Sequence, residues 1–348
     1  MFTLSVCMIV RDEEKTLDRI LKCANQFADE IIIVDTGSKD NTVRIAEKYT
    51  DNIFHYTWCD HFGKARNFSF DKANCDYIMW LDADDYISDE NIRKIINLKS
   101  NPLDVDVYML KYVMGFKNDK PTFEFYRERI IKRSINLKWE GFIHESISPR
   151  GKIQYVDIEI EHRKEKANPP KRNLKIFENA ITQGVTLSPR ELYYYARELY
   201  YNNKINKCIK ILNKFIKIDN CYEPNKIDAY IILGDIFSSK QDYIKSNYYL
   251  FQILQLYNPN SEVLCKIAKN FENLNQTEKA ILFYKFALIC PHTINGFISK
   301  EYIEFIPLME LCKLYYSINK EESRKYYNLA KTINPNHPSV IYNKQFFQ

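Results

Sequence analysis

Apolar and polar positions keep two different rhythms along the chain, and the change of rhythm divides it. In the first half, short apolar runs at residues 3–10, 30–34, 53–56 and 77–81 lack helical spacing and suit buried strands. Between them, Leu17, Ile20, Leu21 and Ala24 recur at helical spacing. So do Val43, Ile45 and Ala46 after a cap at Asp40 or Asn41, and another helix opens at Gly63 and runs to Ala73. Strand and helix in alternation predict a mostly parallel sheet with helices on both faces. Residues 103–114 hold one or two further strands, residues 127–133 a strand with basic flanks, and residues 158–162 a late strand.

Residues 165–172 are polar and contain Pro169-Pro170, which neither helix nor sheet interior continues. The boundary is therefore expected between a domain at 1–168 and a domain at 169–348. Beyond it the pattern is helical only. Helix pairs recur: Leu192–Leu199 with Ile205–Ile216, Tyr230–Phe237 with Tyr243–Leu250, Leu264–Phe271 with Thr277–Ala287, and Leu308–Tyr315 with Glu322–Ala330. Small residues Ala196, Gly234, Ala268 and Cys312 let the members of a pair approach closely, and Pro259, Pro291 and Pro335 follow three of the second helices. A repeat of about 34 residues is the tetratricopeptide period, which predicts a solenoid with a concave face. Residues 295–305 read as an insertion. The cluster Tyr193, Tyr194, Tyr195, Tyr200 and Tyr201 is core and rim, or lines a peptide groove.

Composition narrows this only a little. The 348 residues suit two domains, and no apolar run is long enough to span a bilayer or to act as a signal peptide. Nine cysteines without C-x-x-C spacing imply free thiols in a reducing cytoplasm, with Cys7, Cys23 and Cys75 in the core. Residues 1–169 carry 26 Lys+Arg against 29 Asp+Glu, and residues 170–348 carry 24 against 16. The basic second half is solvated helix surface or a face for an acidic partner. No nucleic-acid module is present.

In such a sheet, ligands bind beyond the carboxyl ends of the strands. Three polar clusters fall there: Arg11-Asp12-Glu13-Glu14, Asp35-Thr36-Gly37-Ser38-Lys39-Asp40-Asn41 and Asp82-Ala83-Asp84-Asp85. Crowded carboxylates repel, and burying them unpaired costs several kcal/mol per ion. A hard divalent cation such as Mn2+ or Mg2+ relieves that, often with phosphate oxygens as further ligands. The plainer alternative is an acidic turn capping a helix that begins near Asp89. With neither G-x-G-x-x-G nor G-x-x-x-x-G-K-[ST], a dinucleotide enzyme or a P-loop nucleotidase is disfavoured.

The motifs S-V-C-M-I-V-R-D-E-E, V-D-T-G-S-K-D-N-T, A-R-N-F-S-F and W-L-D-A-D-D, in this order, resemble family 2 glycosyltransferases over about residues 1–165. The resemblance implies the α/β GT-A fold, a Rossmann-like nucleotide-diphospho-sugar transferase domain, here followed by an all-α tetratricopeptide-like solenoid. It implies a nucleotide-sugar donor, usually UDP-linked, and inversion at the anomeric carbon. By the same resemblance Asp35 reads the base or ribose beside Val10. Arg11 and Glu13 or Glu14 shape that pocket, and Lys64 and Arg66 lie near the base or diphosphate. Asp82, with Ala83, is close to the ribose and the metal. Asp84 is the main metal carboxylate, and Asp85 orients sugar hydroxyls. Trp139-Glu140-Gly141-Phe142-Ile143-His144-Glu145 resembles the acceptor-side segment, where many members carry an E-D pair.

Inverting transfer needs one base for the acceptor proton, and Glu145 is the candidate. His144 is the candidate third metal ligand, the two roles can be exchanged, and His162 is the rival ligand. The whole layout is similar to sublancin-type peptide S-glycosyltransferases. That similarity implies transfer of a hexose or N-acetylhexosamine to a peptide or protein side chain, with the repeats holding the acceptor. Two rivals stand beside it: a lipid-linked or surface-polysaccharide acceptor drawn to the basic half, and a catalytically inactive scaffold.

Overall fold

A computed structural model of the chain describes residues 1–117, 120–165, 171–258, 260–291 and 301–347. Two compact units divide at Val185/Thr186. The expected linker residues 166–170, most of the 295–305 insertion and Pro259 lie outside the described residues, and the helix Arg172–Thr182 belongs to the first unit.

The first unit runs β1 (Leu4–Val10), α1 (Leu17–Ala24), β2 (Glu30–Asp35), α2 (Thr42–Ala46), β3 (Ile53–His55), α3 (Phe62–Phe70), β4 (Tyr77–Trp80), β5 (Asp85–Tyr86), α4 (Asp89–Ser100), β6 (Val107–Lys117), β7 (Lys120–Lys132), β8 (Trp139–Glu140), β9 (Ser146–Ile147), β10 (Ile153–His162) and α5 (Arg172–Thr182). Eight strands form one sheet in the order β3-β2-β1-β4-β7-β6-β10-β5. The expected mostly parallel sheet is in fact mixed. β3, β2, β1 and β4 are parallel, whereas β7 pairs antiparallel with both β4 and β6. The reason is local: β6 and β7 are consecutive and pair directly as long antiparallel neighbours, with no helical crossover between them.

Alternation along β1 shows why the sheet is buried on both faces. Leu4, Val6, Met8 and Val10 join one core with Leu17, Ile20 and Leu21 of α1, while Cys7 joins the opposite core with Phe70 and Trp80. All nine cysteines are free; Cys7 and Cys23 are buried, but Cys75, expected in the core, is half-buried. Ser88, not the acidic triplet, caps α4, its side chain accepting from the Asn91 N–H. The plainer alternative for the acids therefore fails.

The second unit contains the four expected antiparallel pairs: α6 (Pro189–Tyr201) with α7 (Ile205–Phe215), α8 (Glu223–Ser239) with α9 (Tyr243–Leu256), α10 (Ser261–Asn273) with α11 (Thr277–Ile289), and α12 (Ile306–Tyr315) with α13 (Lys320–Ile333). A short α14 (Pro338–Asn343) follows. A Cβ on Gly234 would lie 2.8 Å from two Leu250 side-chain carbons, so glycine sets the α8–α9 approach. Ser246 on α9 closes the same contact by donating to the Gly234 carbonyl at 2.7 Å, and Ser323 on α13 donates to the Cys312 carbonyl at 2.7 Å. In the tyrosine cluster, Tyr193 and Tyr195 are buried and Tyr201 is exposed. No helix among the described residues is long and apolar enough to cross a membrane.

Candidate active site

The carboxyl ends of β1, β2 and β4 carry the three polar clusters. The first two are stitched together by their own loops. Asp12 accepts from the Lys39 N–H at 2.7 Å, the Glu13 N–H donates to Thr42 Oγ1 at 2.7 Å, and Glu14 Oε2 accepts from Asn41. Thr36 donates from both N and Oγ1 to the Val10 carbonyl at 3.0 Å. Asp35 is buried; it accepts from the N–H groups of Ser38 and Gly37 and faces His55 Nδ1 at 3.3 Å. Burial pushes its carboxyl up, but these hydrogen bonds outweigh that and hold it below the usual range. Arg11 and Lys64 are exposed, and Ala83 is buried.

The D-A-D-D acids separate into two environments. Asp82 Oδ1 accepts from Arg66 Nη2 at 2.7 Å, and Glu145 Oε1 accepts from Arg66 Nε at 2.7 Å. The Arg66 guanidinium lies over the rings of Trp80 and Trp139 at 5.1 and 4.8 Å. Burial disfavours its charge, yet the two carboxylates more than compensate, and Asp82 in turn is held well below the ordinary carboxylate range against its own burial.

Asp85 has no exposed surface. Its Oδ1 accepts from Tyr112 at 3.0 Å, and its Oδ2 accepts from the Asp82 N–H at 3.0 Å and from Arg129 Nη1 at 3.1 Å. Arg129, equally buried, stacks on Trp80 at 3.5 Å and Tyr112 at 4.2 Å. The expectation that Asp85 orients sugar hydroxyls thus meets a carboxylate wholly enclosed by protein.

His162 arrives here through strand register, since β10 and β5 pair antiparallel with His162 opposite Asp85. Asp84, Asp85 and His162 offer ligand atoms within 4.8 Å of one another, the group of this kind found among the described residues. Asp82 and His144 stand outside it; His144 is exposed, with left-handed backbone at φ 53°. His162 Nδ1 is buried without a well-formed hydrogen bond, 3.4 Å from Asp84 Oδ1 and 3.7 Å from Asp85 Oδ1. Burial lowers the imidazole pKa, and the two carboxylates overcome this and push it up to about 10. A divalent cation that displaces the imidazole's proton would find this nitrogen and the two carboxylate oxygens as ligands. Asp85 Oδ1 keeps a second lone pair for one.

Sequence reasoning passes over Tyr112, gives Asn67 no role beyond its motif, and places Arg129 only within a basic strand bordering the diphosphate. Asn67 clasps the backbone of Trp139, its Nδ2 donating to the carbonyl at 3.0 Å and its Oδ1 accepting from the N–H at 2.8 Å. The R-E-R run at 127–129 was visible, but nothing in it tells which arginine faces inward.

Residues 5–153 match the model of Glycosyl transferase family 2. The SPbeta prophage-derived glycosyltransferase SunS of Bacillus subtilis is 26% identical over 271 residues, covering 71% of this chain and 62% of its own. A TPR repeat-containing protein of Synechococcus elongatus is 44% identical over 85 residues, 24% of this chain and 21% of its own. The chain thus spans about a fifth of one relative's length and under two thirds of the other's. Residues 1–349 of Staphylococcus aureus TarS, crystallised with UDP-GlcNAc, match 82% of this chain and 90% of that fragment at 16% identity, with a TM-score of 0.37. The clusters on the sheet edge and the match over residues 5–153 lead to one conclusion: this chain carries a family 2 glycosyltransferase domain.

Proposed function

We propose that the chain is an inverting glycosyltransferase that moves a hexose or N-acetylhexosamine from a UDP-sugar to a peptide or protein side chain. The observation that carries this reading is the Asp84–Asp85–His162 cluster beside the Arg66-linked pair of Asp82 and Glu145. Asp84, Asp85 and His162 hold the cation; the imidazole favours Mn2+ over Mg2+. When bound, the cation supplies positive charge opposite the donor diphosphate.

The chain's own residues do the rest. Asp35, ionised and rigidly held, accepts hydrogen bonds from the base or ribose, with Val10, Arg11 and Glu13 shaping the pocket and Lys64 at its rim. Asp82 faces the ribose. Glu145 takes the proton of the acceptor thiol or hydroxyl as that atom bonds to the anomeric carbon, and the bond to the diphosphate breaks with its electron pair leaving on UDP.

The helical unit holds the acceptor. The similarity to SunS supports this, since it extends over 71% of the chain, more than residues 5–153 make up. Incubating the full chain with Mn2+, a panel of UDP-sugars and cysteine- or serine-containing peptides tests the reading by mass spectrometry. A peptide gaining one sugar is the expected result. UDP-sugar turnover with no peptide ever modified overturns the acceptor assignment.

A further inference from the structure

Arg66 connects two motifs that the proposed chemistry treats separately. Its single charge faces two carboxylates, Asp82 after β4 and Glu145 in the loop between β8 and β9, each at 2.7 Å. The Asp82 side chain is 28% exposed and that of Glu145 12%, so Asp82 is the partner a ligand reaches more readily. The guanidinium is buried over the Trp80 and Trp139 rings, which restrict its movement toward either partner.

The same helix carries the Glu145 loop. Asn67 holds Trp139 at both backbone atoms, and the Phe62 N–H donates to the Phe142 carbonyl at 2.9 Å. A Cβ on Gly63 would come within 2.6 Å of the Gly141 carbonyl, so helix and loop touch backbone to backbone. Glu145 is thereby mounted on α3, and Arg66 is the link from α3 to Asp82.

We infer that Arg66 is a positioning residue that couples occupancy of the donor site at Asp82 to the hold on the Glu145 carboxylate. This rests on the reading of Asp82 as donor-facing and Glu145 as base. A nucleotide that engages Asp82 weakens its bond to Arg66, and the guanidinium then holds Glu145 the more firmly, so the base is set only once the donor is in place. Coupling between sites is reciprocal: removing the charge of Glu145 leaves Arg66 to grip Asp82 alone and weakens nucleotide binding.

Calorimetric titration of UDP with Mn2+ into the full chain tests this, using wild type, Glu145→Gln, Arg66→Lys and the double variant. Glu145→Gln is expected to weaken UDP binding about fivefold or more in the wild-type background. In the Arg66→Lys background it is expected to change UDP binding by less than about twofold, because one ammonium cannot reproduce the forked pair of bonds. A purely architectural Arg66 gives the same factor in both backgrounds, and that result overturns the inference. So does a Glu145→Gln change that leaves wild-type affinity unaltered or tightens it. The single variant decides the matter if Arg66→Lys does not fold. Failure of the wild-type chain to bind UDP at all takes down the donor reading, and the inference with it.

Discussion

The two units bury polarity in different ways. In the first, the buried polar side chains include the ions Asp35, Arg66, Asp85, Lys99, Glu128 and Arg129. In the second, among the described residues, they are Asn225, Ser246, Asn247, Ser261, Asn270 and Ser323, all neutral. Neutral groups satisfy one another at modest cost. Asn270 donates to Ser246 and Asn247, and Ser261 donates to the Ala287 carbonyl, so these residues lock helix to helix. Buried ions cost several kcal/mol each unless compensated, and four of these six lie beside the D-A-D-D acids or Asp35. Most of the buried charge gathers at the candidate site, with Lys99 and Glu128 apart from it, and buried neutral polarity joins the helices of the second unit.

Substitutions can break that contrast. Arg129→Met removes the fully buried guanidinium paired with Asp85, leaving His162 as the cation nearest to it, and should cost about 3–5 kcal/mol of stability by urea unfolding. A loss under about 1 kcal/mol would mean that His162 compensates Asp85 without Arg129. Glu145→Gln should lower the rate of sugar transfer about 100-fold or more, measured as product per enzyme at saturating donor. An unchanged rate would remove Glu145 from the base role.

Smaller effects sharpen the scaffold side. Gly234→Ala must push against Leu250 and should cost about 1–3 kcal/mol, with UDP affinity untouched. An altered UDP affinity would deny that the helical unit is free of donor chemistry. Ser88→Ala removes the cap of α4 and should cost about 1 kcal/mol without changing the metal dependence of turnover.

Much of this architecture is legible in the sequence, because apolar period is a local property. The β1, β2 and β4 runs, the helix pairs around Ala196, Gly234, Ala268 and Cys312, and the acids at strand ends all follow from neighbouring residues. What fails to show is set by register and partner. The sequence offers His162 only as a rival to His144, because nothing near Ile160 says that it will sit opposite Asp85; that pairing brings it to Asp84 and Asp85. Arg129 reads as part of the basic flank of a strand, yet it is enclosed by Trp80 and Tyr112. The β6–β7 pair is half legible: β7 begins at Lys120, well before the basic run at 127–133 that predicts a strand. The helix α5 buries Leu174, Ile176 and Phe177 and precedes the helix pairs predicted from Leu192 onward.

The acids after β4 and the histidine at the end of β10 are proposed to gather the cation and the nucleotide. Calorimetry of Mn2+-dependent UDP binding by His162→Ala and His144→Ala puts this to the test. His162→Ala should lose the manganese-dependent part of UDP affinity while His144→Ala keeps it; the reverse pattern would move the cation site to the Glu145 loop.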